Sequence, residues 1–342
     1  TELLTKTHTV SIIGASGYAG AELLRILSRH RHCTVRGLYA GSSAGQSLTG
    51  AYQWQKEYAG LQYEEFEPSK LADSEAVFLA LPPGEAAQII PSLSHDQLLI
   101  DLSGDLRLTD SSEYETYYGR QHAGALTSKA IYGLPEWNRS SIGSSRLISN
   151  PGCYATSAIL PLAPLLADGL IEPDGIVINS MSGVSGAGRK AALELNFTEV
   201  NETVKAYRVG DHQHIPEIRN ALESATGKKT SFVFVPHLIP ITRGIYTTIT
   251  ANAASMLDPA KVAESLGKHY DDDVFVRWHA SAVPEIRNVV HTNFCDIGFR
   301  VIDGGKKIVL MSVIDNLGKG AAGQAVQNMN IACGFEEGEG LL

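Results

Sequence analysis

The sequence predicts an α/β chain of two domains: a parallel sheet with helices on both faces, then an α+β domain with a mostly antiparallel sheet. Three observations carry that expectation. Strand-like and helix-like segments alternate over the first part of the chain, the pattern of a parallel sheet. After Ser149 the texture changes to longer β-branched runs and a hairpin signal. A length of 342 residues suits two domains of ordinary size.

The first elements read in order. "HTVSIIG" is a buried strand, and "AGAELLRILSRH" has helical spacing at Leu23, Leu24 and Leu27. "TVRGLYA", "AVFLALP" and "LLIDLSG" are further strands, with "GEAAQIIPSL" helical between the last two. In the second region "GIVINSMSG", "FVFVPHLIP" and "GIYTTITANA" are strands. "CDIGFRVIDGGKKIVLMSVID" is a hairpin about Asp303-Gly304-Gly305. "DPAKVAESLGKHY" is a helix with Asp258 as N-cap and Pro259 at its first position. "GKGAAGQAVQNMNIACGF" closes the chain as a helix. There is no internal repeat.

Composition narrows the partners. A net charge of −9 argues against nucleic acid or a membrane surface, but not against a small anion held by a local arginine. Cys33, Cys153, Cys295 and Cys333 are scattered, with no CxxC pair for zinc or a dithiol. No metal is expected. A reducing, cytoplasmic setting follows; "TELLTKTHTV" has no signal-peptide character, and a removed organellar transit peptide stays open.

"IIGASGYAGAELL" follows a strand and opens a helix. Gly14, Gly17 and Gly20 give GxxGxxG, with Ser16, Tyr18 and Ala19 between them. Glycines let backbone approach a pyrophosphate, and the helix N-terminus supplies the field, so a Rossmann-type dinucleotide site is expected here. The loop after the second strand offers Ser42 and Ser43 and no acid. An acid would bind a ribose 2′-hydroxyl and repel a 2′-phosphate, so NADP(H) is the expected cofactor. The other reading of these serines is a solvated loop.

"SNPGCYATSAILPL" holds Cys153. Asn150 reads as an N-cap and Pro151 as the first helical residue, which places Cys153 in a first turn. Unpaired N–H groups there favour thiolate. Pro161 and Pro164 should kink or shorten that helix. A buried thiol is the plain alternative. "GDHQHIPEIRNAL" carries His212, His214 and Glu217; surface, core and metal-ligand readings compete with general base catalysis. Arg107 and Arg189 suit a carboxylate or phosphate, or simple surface ion pairs. The small residues of "SGVSGAG", from Ser182 and Gly183 on, suit close ligand approach or a flexible loop.

Together these strings resemble the N-acetyl-gamma-glutamyl-phosphate reductases, relatives of the glyceraldehyde-3-phosphate and aspartate-semialdehyde dehydrogenases. They are joined by "DLSGDLRL", "YGLPEW", "PITRGIYTTI" and "DNLGKGAAGQAVQNMN", and run from Gly14 to Asn330. The resemblance implies NADPH-dependent reduction of N-acetyl-glutamyl 5-phosphate through a thioester on Cys153. It implies His214 as acid/base, with His212 assisting or replacing it. It implies Arg107, Glu217 and Arg189 at the substrate. Pro82, Ser182, Gly183 and Asn316 join the glycine loop at the cofactor. It also implies a discontinuous nucleotide domain, residues 1–149 and 318–342, around a catalytic and dimerisation domain, residues 150–317, in a homodimer or homotetramer. N-acetyl-aminoadipyl phosphate, one methylene longer, is the near alternative substrate; a non-catalytic NADP sensor is the distant one.

Overall fold

The computed structural model describes residues 8–48, 58 and 60–342; the stretch "TELLTKT" lies outside the described residues. The chain forms two compact units, one ending at Pro151 and resuming at Ala321–Leu342, the other Gly152–Gly320.

The first unit opens with β1 (His8–Ile13), α1 (Tyr18–Leu27), β2 (Cys33–Tyr39) and β3 (Ala76–Leu79). It continues through α2 (Ala86–Ile89), β4 (Leu98–Asp101), α3 (Ser111–Tyr118) and α4 (Leu126–Lys129) to β5 (Ile131–Tyr132), α5 (Pro135–Gly143) and β6 (Leu147–Ser149). Among the described residues the six strands pair in the order β2-β1-β3-β4-β6-β5, all parallel. Alternate side chains feed two cores. Ile12, Phe78 and Ile100 join one with Leu23 and Leu24 of α1; Ile13, Val77, Leu79 and Leu99 join the other. Burial on both faces is why these strands read as continuous apolar runs.

The second unit contains α6 (Cys153–Ala167), β7 (Ile176–Ser182), α7 (Phe197–Val200), β8 (Lys205–Ala206), α8 (His214–Thr226), β9 (Phe232–Leu238) and β10 (Ile245–Asn252). It ends with α9 (Pro259–Tyr270), β11 (Val276–His279), β12 (Cys295–Ile302) and β13 (Lys307–Ile314). The sheet order is β11-β12-β13-β10-β7-β9-β8. Among the described residues this sheet is mixed: four of its six strand pairings are antiparallel and two are parallel. β7 pairs parallel with β9, and β11 with β12. Parallel neighbours need a long crossover, and the segment between β7 and β9 supplies one that includes α8. Strand composition does not encode neighbour direction. The β12–β13 hairpin turns through Asp303, Gly304 and Gly305, all at positive φ, where glycine is least strained.

Helix α6 continues past Pro161 and Pro164 to Ala167, so the prolines do not shorten it. Pro164 has no N–H for the Leu160 carbonyl. The Tyr270 hydroxyl of α9 donates to that carbonyl at 2.6 Å, so the lost helix bond is replaced by a tertiary one. The last helix of the chain, α10 (Gly323–Cys333), belongs to the first unit, where Ala325, Val326 and Met329 complete the core around α1.

Candidate active site

In the first unit β1 delivers Gly14 at φ +85°. A Cβ there would collide with the Ala80 carbonyl, and one at Gly20 would lie 2.6 Å from the Gly14 oxygen. The Gly14 and Ala15 N–H groups donate to the Tyr39 carbonyl, which ties the loop to the end of β2. Gly17 is the N-cap of α1, so the first-turn amides of Tyr18 and Ala19 follow the tight turn past Ser16. These are the requirements of a phosphate-cradling loop. Ser42 is exposed and Ser43 half-buried in the turn after β2, and Pro82 is exposed after β3.

The loop after β4 holds Arg107. Its Nε donates to the Asn150 carbonyl at 2.9 Å and its Nη2 to the Leu102 carbonyl at 3.3 Å. Asn150 is itself buried, donating its N–H to the Asp101 carbonyl at 2.8 Å and its amide to the Ala321 carbonyl at 3.0 Å. Asp101 is fully buried, and burial pushes its carboxyl up to about 6, with Asp105 adding and the Ser103 hydrogen bonds opposing. Asp105, which the sequence reading did not single out, accepts from Gly84 N–H at 2.6 Å, Ala87 N–H at 3.0 Å and the Tyr114 hydroxyl at 2.7 Å. It thereby fixes the loop that carries Pro82.

In the second unit Cys153 is the first residue of α6, with Gly152 as N-cap. The expected cap, Asn150, lies outside the helix, committed through its backbone to Arg107 and Asp101. The Gly152 carbonyl accepts from Thr156 N–H at 2.9 Å, the first helical bond. Cys153 is half-buried, in the turn whose amides lack helical partners.

The residue that approaches Gly152 is His214, the first residue of α8. A Cβ on Gly152 would run into His214 Nε2. Glu217, one turn along, accepts from the Gly152 N–H at 2.7 Å and lies 3.9 Å from His214 Nε2. Glu217 is 1% exposed. His212 Nδ1 accepts from the His214 N–H at 3.1 Å. Burial, with His214 and Arg208 adding, lowers the His212 imidazole to about 2, so His212 is neutral and serves the backbone at the start of α8. Tyr154 packs edge-on against both imidazoles, and the Tyr207 hydroxyl donates to the Tyr154 oxygen at 2.9 Å.

A second segment closes on the cysteine. A Cβ on Gly320 would lie 2.8 Å from Cys153 Cβ. That approach is set by Asp315, whose Oδ1 accepts from Leu317 N–H at 2.8 Å and Gly318 N–H at 3.2 Å. Its Oδ2 accepts from His291 N–H at 2.6 Å, and Arg243 pairs with it at 2.9 Å. Asn316 is buried; its Oδ1 accepts from Gly244 N–H at 2.8 Å and its Nδ2 donates to Ser185 Oγ at 2.9 Å. Ser182 and Gly183 are buried at the end of β7, and Arg189 is exposed on the following loop. Asp315, Arg243 and Gly320 escaped the sequence reading although their strings were noticed; only contact distances reveal a glycine seated on a cysteine. Among the described residues no group of three His, Cys, Asp or Glu side chains forms a metal cluster.

Two family models match the chain: the semialdehyde dehydrogenase NAD binding domain over residues 9–145 and the semialdehyde dehydrogenase dimerisation domain over residues 153–316. The N-acetyl-gamma-glutamyl-phosphate reductase of Geobacillus stearothermophilus is 44% identical over 335 residues, 97% of each chain. That of Pelotomaculum thermopropionicum is 47% identical over 336 residues, again 97% of each. Among solved structures, a probable aspartate-semialdehyde dehydrogenase from Pseudomonas aeruginosa superposes with a TM-score of 0.71 at 20% identity, covering 96% of this chain and 99% of that one. The NADP complex of the Candida albicans aspartate semialdehyde dehydrogenase gives 0.69 at 15%, covering 95% and 98%. Those two share the fold, while the full-length identities carry the closer kinship: the chain belongs to the semialdehyde dehydrogenase family, in its N-acetyl-gamma-glutamyl-phosphate reductase branch.

Proposed function

We propose that the chain reduces N-acetyl-glutamyl 5-phosphate to N-acetyl-glutamate 5-semialdehyde and phosphate, the step in arginine biosynthesis carried by its reductase relatives. The observation that carries the mechanism is His214 Nε2 seated against Gly152, with Glu217 binding the Gly152 N–H. This puts an imidazole and a buried carboxylate beside the helix start that bears Cys153.

Cys153 attacks the acyl carbon, phosphate leaves, and a thioester forms on the sulfur. His214 takes the thiol proton; after the thioester carbon is reduced, the tetrahedral oxyanion collapses to the aldehyde, the C–S bond breaks, and His214 returns the proton to the Cys153 sulfur. The first-turn amides of α6 face the developing oxyanion. Glu217 stands 3.9 Å from the imidazole and orients the helix start beside it through the Gly152 N–H. His212, neutral and bonded to the His214 N–H, positions the base. Arg107, and Arg189 on its loop, bind the anionic groups of the substrate. NADPH, when bound, supplies the hydride; the Gly14–Gly20 loop, Ser42, Ser43 and Pro82 of the first unit fit its phosphates and ribose, and Ser182, Gly183 and Asn316 its nicotinamide end. The first unit is thus the nucleotide domain and the second the catalytic one.

The test is NADPH oxidation followed with N-acetyl-glutamyl phosphate and, separately, N-acetyl-aminoadipyl phosphate. The reading requires higher kcat/KM for the glutamyl substrate; a pocket discriminates one methylene by about 1–3 kcal/mol. Preference for the longer chain moves the enzyme to lysine biosynthesis, and NADPH binding without turnover makes it a sensor. We further propose a homo-oligomer in the cytoplasm, supported by the dimerisation-domain match and by Val177 and Val233 exposed on neighbouring strands β7 and β9. No helix among the described residues is long and apolar enough to cross a membrane. Sedimentation reads dimer against tetramer.

A further inference from the structure

The first unit carries a second concavity. β4 and β6 run parallel, so Leu98 and Leu147 at their starts lie at the sheet edge opposite Asp101 and Ser149 at their ends. At this far edge is a cavity of about 490 Å³, within the range of about 300–1,000 Å³ usual for small-molecule sites. Its floor is apolar, made by Leu99, Leu126, Ile131 and Leu147. Its rim carries His95, Lys129 and Arg146, and no Asp or Glu lines it. In a chain with 37 acidic and 28 basic residues, an acid-free wall with three basic groups departs from the average surface.

None of these three side chains makes a hydrogen bond or an ion pair with a described residue. A basic residue near a helix C-terminus ordinarily offsets the dipole, and α4 and α5 both end here. That role is filled otherwise. The Ser144 N–H and Oγ bond the Ser141 carbonyl at 3.3 and 3.1 Å, the Ser145 N–H bonds the Ile142 carbonyl at 3.1 Å, and α4 has only four residues. The cations are therefore left facing solvent above an apolar floor. That combination recognises an oxyanion joined to a short hydrocarbon.

We propose that this cavity binds a small organic anion, with a carboxylate or phosphate head at Lys129 and Arg146 and an apolar body against Leu99 and Ile131. The site lies at the opposite strand ends from the glycine loop of the same unit, and the proposal stands whether or not the reaction above is correct.

The experiment is equilibrium dialysis of the full chain with radiolabelled hexanoate and, in a second arm, hexyl phosphate; hexylammonium is the control of opposite charge. At least one anion should bind at millimolar concentration or below, and hexylammonium should not. The two anion arms decide which head the site takes. Lys129→Ala/Arg146→Ala should weaken binding on the order of 10–100-fold, the loss of two partly solvated charge-assisted contacts. Both residues are exposed, so the variant should retain its fold, checked by unchanged NADPH binding. Arg107→Leu and saturating NADPH should leave anion binding unaltered. Absence of binding by both anions, equal binding of hexylammonium, undiminished binding by the double variant, or loss on Arg107→Leu would each overturn the assignment.

Discussion

Glu217 Oε1 accepts a hydrogen bond from the Gly152 N–H at 2.7 Å, joining the first turn of α8 to the N-cap of α6. Removing the carboxylate leaves a buried amide unpaired and takes away the acid 3.9 Å from the neighbouring imidazole. Glu217→Gln keeps an acceptor for Gly152. It is therefore expected to fold normally, measured by circular dichroism, and to lose kcat more than KM. An equal fall of kcat and stability would make Glu217 a structural residue only.

Gly152→Ala tests the approach directly. The new methyl must displace His214 Nε2. The expected loss in kcat/KM is on the order of 10²–10⁴, the range for misplacing a general base, with NADPH affinity retained. Wild-type turnover would mean that the imidazole has another working position.

Cys153→Ser should abolish turnover, and iodoacetamide should label Cys153 first. Burial raises the Cys33 thiol to about 12 and the Cys333 thiol to about 11, and Cys295 is fully buried. Thiolate is the reactive form, so these three should react slowly. Mass spectrometry of the earliest adduct decides; a different first site removes Cys153 as nucleophile.

The two histidines separate by pH. His214→Asn should slow acylation by a factor on the order of 10²–10⁴ and recover in part at alkaline pH, where the thiol ionises unaided. Hydroxylamine trapping in a single turnover reads this. His212 acts on stability instead. Its folded value, about 2, lies below the usual imidazole value of 6.5, so the unfolded chain binds the extra proton between those limits. Its stabilising contribution is complete above pH 6.5 and is lost as pH falls toward 2, at up to about 1.4 kcal/mol per pH unit. Denaturant melts from pH 7 to pH 4 should show a shallower acid decline for His212→Asn. An unchanged slope would place the imidazole in a more solvated setting.

The sequence expectation of NADP(H) rests on the acid-free turn after β2, with Ser42 and Ser43. Ser42→Asp should bring a carboxylate toward the ribose and reverse or erase a preference for NADPH over NADH, read as the ratio of kcat/KM values. Equal use of both cofactors by the native protein would remove Ser42 and Ser43 from that role.

Much of this protein was legible before any contact was known. Strand–helix alternation, the glycine spacing and the uninterrupted apolar strands determine the first unit, because backbone satisfaction and two-sided burial leave a local imprint on sequence. Cys153, His214 and Glu217 stand out in the sequence as candidates, since few residue types serve as nucleophile or base, and the fold brings His214 and Glu217 to the Gly152 that precedes Cys153. Tertiary structure decided the rest. It set two parallel pairings, β7 with β9 and β11 with β12, into the second sheet, since a strand's pattern records its faces and not its neighbour's direction. It moved the N-cap from Asn150 to Gly152 because Arg107 and Asp101 engage Asn150 from outside the helix. It carried α6 through Pro161 and Pro164, with Tyr270 replacing the helix bond that Pro164 removes. It assigned His212 to the α8 backbone by burying it, and it set Gly320 against Cys153 through Asp315. Each of these depends on a partner distant in sequence, and a single residue's type does not encode which partner the fold will bring to it.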